Sequence, residues 1–206
     1  MIPRWLVAVV VVCFLISGMT GLVYEVVWSR YLGFFIGAST YAHTVVLATF
    51  MGGLALGNRF LGRRADQSGN LLRFYGILEI GIGVYCALFP TLFPLLGDGY
   101  VAVGRLVGPD SAAILPMKLL LGVVAVLPPT ILMGGTLPVL GKYLIRRESD
   151  VGSKIGSLYF INTAGAVAGC FLAGFVLIEA LGLELSMIAA AAVNLAVGLL
   201  FLLLGS

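Results

Sequence analysis

Six times along this chain an apolar stretch of about 20 residues recurs, near 5–28, 40–61, 72–96, 118–142, 156–179 and 185–205. About 20 residues at 1.5 Å each is the length an α-helix needs to cross the hydrocarbon core of a bilayer. A soluble domain has no use for so many such runs. With 61% hydrophobic and 10% charged residues among 206, and a mean hydropathy of +1.13, the chain has too little charge to cover a water-facing surface. The expectation is an all-α, polytopic transmembrane bundle of about six spans, forming a single integral membrane domain over 1–206 with the lipid bilayer as its surroundings. Arg4 precedes the first run as it would in a signal peptide. However, Ser17-Gly18-Met19-Thr20-Gly21 is a poor cleavage site and the apolar run continues to Val27, so this stretch reads as an uncleaved first span.

Charge is sparse but placed. Arg59, Arg63, Arg64 and Arg73 fall in the segment 58–73, and Lys142, Arg146, Arg147 and Lys154 in the segment 142–154. The turn around Gly182 has Glu179 and Glu184 and no basic residue. Lys and Arg accumulate in short cytoplasmic loops. Putting the second and fourth connections inside places both termini inside as well, an N-in/C-in topology, and the bacterial inner membrane is the expected location. Arg4 agrees; Arg30, Arg105 and Lys118 are the minority left outside. The longest connection is 90–116, and its stretch 95–107 is too short to cross. It reads as a short interfacial helix or a re-entrant piece.

Several classes of chemistry drop out. A net charge of +3 gives no nucleic-acid footprint. Cys13, Cys86 and Cys170 lie far apart in apolar runs, and there is one histidine, His43, so no metal site and no disulfide framework is expected. No cofactor and no catalytic constellation is expected either.

Ionisable and strongly polar residues inside spans are costly and mark candidate sites. Glu79 lies about 10 Å into the third span and is the first candidate for a buried functional carboxylate. It can neutralise a cationic substrate, carry a proton, or pair with an arginine such as Arg59 to fix helix register. Asn162 in the fifth span and Asn194 in the sixth are candidates for hydrogen bonds between helices. Glu25, near the outer end of the first span, is a second candidate for substrate or proton. Its neighbours Trp28 and Tyr31 suit an interfacial anchor, and Tyr41 and His43 open the second span on the same side.

Pro128 and Pro129 interrupt the fourth span, followed by Gly134, Gly135 and Thr136. Each proline removes an amide donor, leaving carbonyls near Val124 and Ala125 without partners. Two readings follow: a broken helix that lines a binding site, or a kinked helix satisfied by its neighbours. Small residues recur at Gly53 and Gly57 in the second span and at Gly165 and Gly169 in the fifth, a spacing that lets helix backbones pack closely. A weak internal echo pairs Met51-Gly52-Gly53 and the following Arg63, Arg64 and Asp66 with Met133-Gly134-Gly135 and the following Arg146, Arg147 and Asp150.

The loop after the second span has Gly62, Asp66 and Gly69 at the spacing G-x-x-x-D-x-x-G. This resembles the loop signature of the major facilitator superfamily, although the basic residues that usually follow the last glycine are displaced to Arg73. Asp66 is expected to pair with arginines or to cap the next helix. More of the chain resembles the membrane portion of fused membrane spermidine synthase-like proteins. The runs carrying the likeness are Gly21-Leu22-Val23-Tyr24-Glu25-Val26-Val27-Trp28, Phe50-Met51-Gly52-Gly53-Leu54-Ala55-Leu56-Gly57 and 159–169. In that family the helices precede a Rossmann-type aminopropyltransferase-like domain. The glycine-rich stretches of these 206 residues lie in spans, not between a strand and a helix, so aminopropyl transfer is not expected of this chain alone.

Three functions remain. One is a transport-like module built as half of a major facilitator bundle, with cationic small molecules such as polyamines as candidates, working as a homo-oligomer or with a partner chain. The second is an anchor or scaffold subunit among other membrane subunits. The third is the membrane half of a split aminopropyltransferase-like enzyme.

Overall fold

The computed structural model describes residues 3–37, 39–108, 111–145 and 151–206. Helices account for nearly all of them: α1 (Arg4–Ile36), α2 (Ser39–Asp66), α3 (Leu71–Val107), α4 (Ile114–Leu144), α5 (Val151–Leu172), a π-helical turn (Ala173–Leu177) and α6 (Ile178–Leu204). Among the described residues there is no strand. Five helical stretches are long and apolar enough to cross a membrane, the last running from Val151 to Leu204. The second half of the Met-Gly-Gly echo (Arg146, Arg147 and Asp150) lies outside the described residues.

The helices overrun the apolar stretches that announced them. At 1.5 Å per residue, the 33 residues of α1 and 37 of α3 extend roughly 50 and 55 Å, well past a hydrocarbon core of about 30 Å. Residues 95–107 are therefore neither a separate interfacial helix nor a re-entrant piece. They continue α3 through Pro90 and Pro94, and Tyr100 packs edge-on against Phe35 of α1. Local chemistry sets the ends. Gly37 closes α1 at φ 83° and donates its N–H to Gly33 at 3.0 Å, an αL cap. The Asn70 side chain accepts from the Arg73 amide to start α3.

Glycines mark where backbones approach, and they reveal helix direction. A side chain at Gly165 or Gly169 would collide with the carbonyl oxygens of Leu15 and Met19, so α5 runs parallel to α1. Gly53 sits against the Thr130 side chain and Gly57 against the Ile131 carbonyl, so α2 runs parallel to α4. Gly76 faces Gly198 and Phe201 whereas Gly83 faces Ala191 and Leu195, so α6 is antiparallel to α3. Contacts Ser17 to Glu79 and Trp28 to Phe89 make α1 and α3 parallel. The chain must then reverse between α5 and α6. It does so at Gly182, whose φ of 77° and ψ of 179° are reached without strain only by glycine. The Ser186 hydroxyl fastens the turn by donating to the Gly182 carbonyl.

This arrangement contains an inversion. The main packing pairs are α2 with α4, α3 with α6, and α1 with α5. Exchanging α1 with α4, α2 with α5 and α3 with α6 maps that set onto itself. The exchanged helices α1 and α4 run in opposite directions, since α4 is antiparallel to α3 (Leu132 beside Gly81, Ala125 beside Tyr85). Inverted three-helix units are a recurrent plan among transporters. The Met-Gly-Gly echo relates α2 to α4, which this exchange does not. The stripes Gly53/Gly57 and Gly165/Gly169 stand on α2 and α5, which it does.

α4 is not broken at Pro128-Pro129; it stays helical from Ile114 to Leu144. The carbonyl of Ala125, deprived of its donor by Pro129, accepts from the Tyr85 hydroxyl of α3 at 2.8 Å. Gly134 and Gly135 seat Leu54 and Leu61 of α2, and Thr136 bonds back to the Met133 carbonyl at 2.7 Å. These residues therefore do not mark an unwound segment. Tyr85→Phe is accordingly expected to cost about 1 kcal/mol. In a Pro129→Ala background, where residue 129 regains its amide, the same change should cost under about half of that. Equal costs in the two backgrounds, measured by thermal or denaturant unfolding in detergent, would refute this account of the carbonyl.

Candidate functional site

Two polar regions stand out, on opposite sides of α1. The first is a closed cluster between α1, α3 and α6. Glu79, fully buried, receives a hydrogen bond from Ser17 Oγ at 2.6 Å on one oxygen and from Asn194 Nδ2 on the other. The Asn194 carbonyl oxygen in turn accepts from Tyr24 at 2.8 Å, which fixes the amide with its NH2 toward Glu79. Tyr75, one turn before Glu79 on α3, is also fully buried. Its hydroxyl has no hydrogen-bond partner among the described residues. The cluster separates two apolar cores, one around Tyr24, Trp28, Phe50, Ile82 and Phe89, the other around Val10, Phe14, Leu78, Leu140 and Phe201.

Arg59 is exposed and does not pair with Glu79; the one ion pair among the described residues is Lys142 with Asp66. Glu79 therefore has neutral donors where a register-fixing salt bridge was one expectation. It is fully buried and lines none of the three groove cavities described below. Trp28 is corrected in the same region. It is fully buried, stacked on Tyr24 at 5.8 Å and tilted against Phe89 at 6.0 Å, so it is core and not an interfacial anchor. Tyr31 likewise turns inward, edge-on to Phe89 and Phe93.

The second region is a groove on the other side of α1. α2 and α5 form its walls, and α1 and α4 its floor. It holds three cavities in sequence. At the end near Gly37 and Gly182, about 280 Å³ is lined by Glu25, Ser29 and Arg30 of α1, His43 of α2 and Cys170 of α5. Midway, about 290 Å³ lies between Phe14, Asn58, Thr136, Tyr159 and Asn162. At the opposite end, about 510 Å³ lies between Asn58, Gly62, Asp66, Lys142 and Ile155. There Lys142 Nζ donates to Asp66 at 2.6 Å and to the Ala65 carbonyl at 3.3 Å.

The loop-signature residues thus separate. Asp66 pairs with a lysine of α4, not an arginine of its own loop, and the cap of α3 is Asn70 instead. Asn70 also donates to the Gly205 carbonyl, which holds the α2–α3 loop beside the end of α6. Gly62 packs on Pro138, and Gly69 lies at the small surface pocket beside Asn70 and Gly205. The starts of α1 and α3, the end of α6 and the residues Arg63, Arg64, Arg73 and Lys142 consequently share one end of the bundle.

Sequence reasoning singled out Glu79, Glu25, Asn162 and Asn194 but not Ser17, Tyr24, Asn58 and Lys142, which the structure places around them. One signal was readable for the first pair. α1 repeats small or polar residues at Ser17, Gly18, Thr20 and Gly21, and Asn194 is the lone amide of its span. Comparison of the chain with protein-family models, with curated proteins and with solved structures finds no match in any of the three.

Proposed function

We propose that this chain is a small membrane module of the transport type, crossing the bilayer six times with both termini on the cytoplasmic side and resembling half of a major facilitator bundle. The reversal at Gly182, which divides the stretch Val151–Leu204, supports the sixth crossing. The basic residues gathered at one end support the orientation. The observation that carries the function is the groove between α2 and α5. Polar groups in lipid-facing positions are expensive, yet Glu25, Asn58, Asn162 and Asp66 line this one face at successive depths. A face of that kind suits water and a solute, and a second bundle, a copy of this chain or a partner, would close it from lipid. The resemblance to spermidine synthase-like membrane domains makes amines the first solutes to try, and the reading gives the chain no catalytic role of its own.

A cysteine scan tests the groove. With Cys13, Cys86 and Cys170 replaced, single cysteines at Asn58 and Asn162 should react with a water-soluble maleimide in native membranes. Cysteines at Phe160, 72% exposed on the outer side of α5, and at Val84 of α3 should not. Equal reactivity at all four positions, or silence at the first two, would remove the aqueous groove.

One feature favours an anchoring role as the second reading. Phe171 and Phe175 stack at 5.8 Å and are 61% and 71% exposed, forming an aromatic ridge across the end of α5 and the π-helical turn that is suited to a neighbouring helix. Loss of a co-purifying subunit on replacing both with alanine, with cysteine reactivity at Asn58 absent, would select this reading.

A further inference from the structure

The cavity nearest Gly37 carries unpaired charge of both signs. Its α1 lining, Glu25, Ser29 and Arg30, lies on the side of the helix away from Tyr24 and Trp28, which pack toward α3. Glu25 is half-buried and Arg30 exposed, and neither forms an ion pair among the described residues. They are five residues apart, so Glu25 lies about 7.5 Å deeper along the axis than Arg30. Ser29 is buried between them, and His43 faces the same space from α2. A half-buried carboxylate with an exposed guanidinium lining the same cavity is a poor receptor for a polycation, because its ammonium groups meet Arg30 as well as Glu25. It is equally poor for a simple anion, which would meet Glu25.

We propose that this cavity binds a small zwitterion, with a primary ammonium on Glu25 and a carboxylate or phosphate on Arg30. A primary ammonium donates hydrogen bonds that Glu25 can accept, whereas a trimethylammonium cannot. A guanidinium holds a carboxylate or phosphate through paired N–H donors, and His43 adds a further donor at the mouth. The volume of about 280 Å³ suits a short amino acid. The same chemistry is carried by the ethanolamine phosphate headgroup of a phospholipid. A dissolved zwitterion enters ammonium first, matching the depth order of the two charges. A headgroup must fold its ammonium back below its phosphate to do the same. This inference rests on the groove being open to water at this end, as proposed above.

The test uses the full chain in phosphatidylcholine nanodiscs and a ruler of ω-amino acids: glycine, 3-aminopropanoate, 4-aminobutanoate and 6-aminohexanoate. Binding is read by calorimetry. One chain length should bind best, and Glu25→Gln and Arg30→Gln should each weaken it by roughly tenfold or more, as expected for one lost charge-assisted contact. Arg30 is exposed, so its variant keeps the test valid even if Glu25→Gln does not fold. If nanodiscs containing phosphatidylethanolamine abolish ω-amino acid binding, and Arg30→Gln removes the preference for that lipid, the zwitterion site stands with the headgroup as its occupant. Spermidine binding that Arg30→Gln strengthens would overturn the proposal in favour of a simple cation site. Absence of binding by the whole series and of any lipid preference would overturn it as well. Neither failure touches the cysteine scan, which reads the groove at Asn58 and Asn162.

Discussion

Glu79→Met is expected to lower the stability of the bundle by about 2–4 kcal/mol, while Glu79→Gln lowers it by under about 1 kcal/mol. The asymmetry follows from donors and acceptors. Asn194 can only donate toward position 79, because its carbonyl oxygen is already engaged by Tyr24. A glutamine meets that donor with its own carbonyl oxygen. Its NH2 then points at Ser17, whose hydroxyl can turn from donor to acceptor. Methionine offers neither group, and it leaves the Asn194 amide buried without a partner, whereas the half-buried Ser17 hydroxyl can turn back to its own helix. Hydrogen bonds between membrane helices average well under 1–2 kcal/mol each, so the larger part of the loss is the stranded amide. Removing the whole network should therefore recover stability. The triple variant Glu79→Met, Asn194→Leu, Tyr24→Phe is expected to unfold at a higher temperature than Glu79→Met alone. If Glu79→Gln is as damaging as Glu79→Met, the hydrogen-bond account fails, and a bound cation at Glu79 becomes the explanation to pursue.

The second large effect is expected at the α1–α5 crossing. Gly165→Leu combined with Gly169→Leu should cost about 3 kcal/mol or more, and little monodisperse protein should survive extraction. The obstacle at both positions is backbone, the carbonyl oxygens of Leu15 and Met19, so no side-chain rotation relieves it. Gly52→Leu and Gly156→Leu, placed where a side chain meets nothing, should change stability by no more than about 0.5 kcal/mol. Thermal unfolding of the four proteins side by side decides the matter. A double α5 variant as stable as the two controls would show that α5 does not lie on α1. The same geometry bears on how such variants are read in cells. These glycines pack inside the chain, so their replacement would abolish a complex by unfolding the subunit, not by releasing a partner.

Much of the architecture was legible because lipid imposes length and polarity rules on sequence. The apolar runs gave the helices, the basic segments gave the shared end of the bundle, and the glycine between Glu179 and Glu184 marked the reversal. What escaped was which side of each helix faces protein. In water, burial separates apolar from polar residues; in lipid, core and periphery are equally apolar, so Trp28 inside and Phe160 outside look alike in the sequence. The aromatic tip of a span invites an interfacial reading, and only the packing of Tyr24 and Phe89 around Trp28 overrules it. The extension of α3 past residue 95 was hidden by Pro90 and Pro94, which a long membrane helix accommodates when its neighbours cover the gap. Glu79 was readable as a costly residue, but its partners lie 62 and 115 positions away. The groove was hidden for the same reason. Asn58 and Asn162 gain meaning only when α2 and α5 are known to flank one surface.

The parallel pairing of α1 with α5 also sets a schedule for biosynthesis. Leu15 and Met19 leave the ribosome about 150 residues before the glycines that cover their carbonyls. At roughly 5–20 residues per second, the first helix waits on the order of 10 s with its contact stripe open to lipid, to the insertion machinery, or to the wrong helix. α2 waits in the same way for α4, though for less time. A chain stalled before Gly165 would have α2 packed on α4 but α1 without the helix that covers Leu15 and Met19, which makes the fifth helix the one whose arrival first closes that stripe.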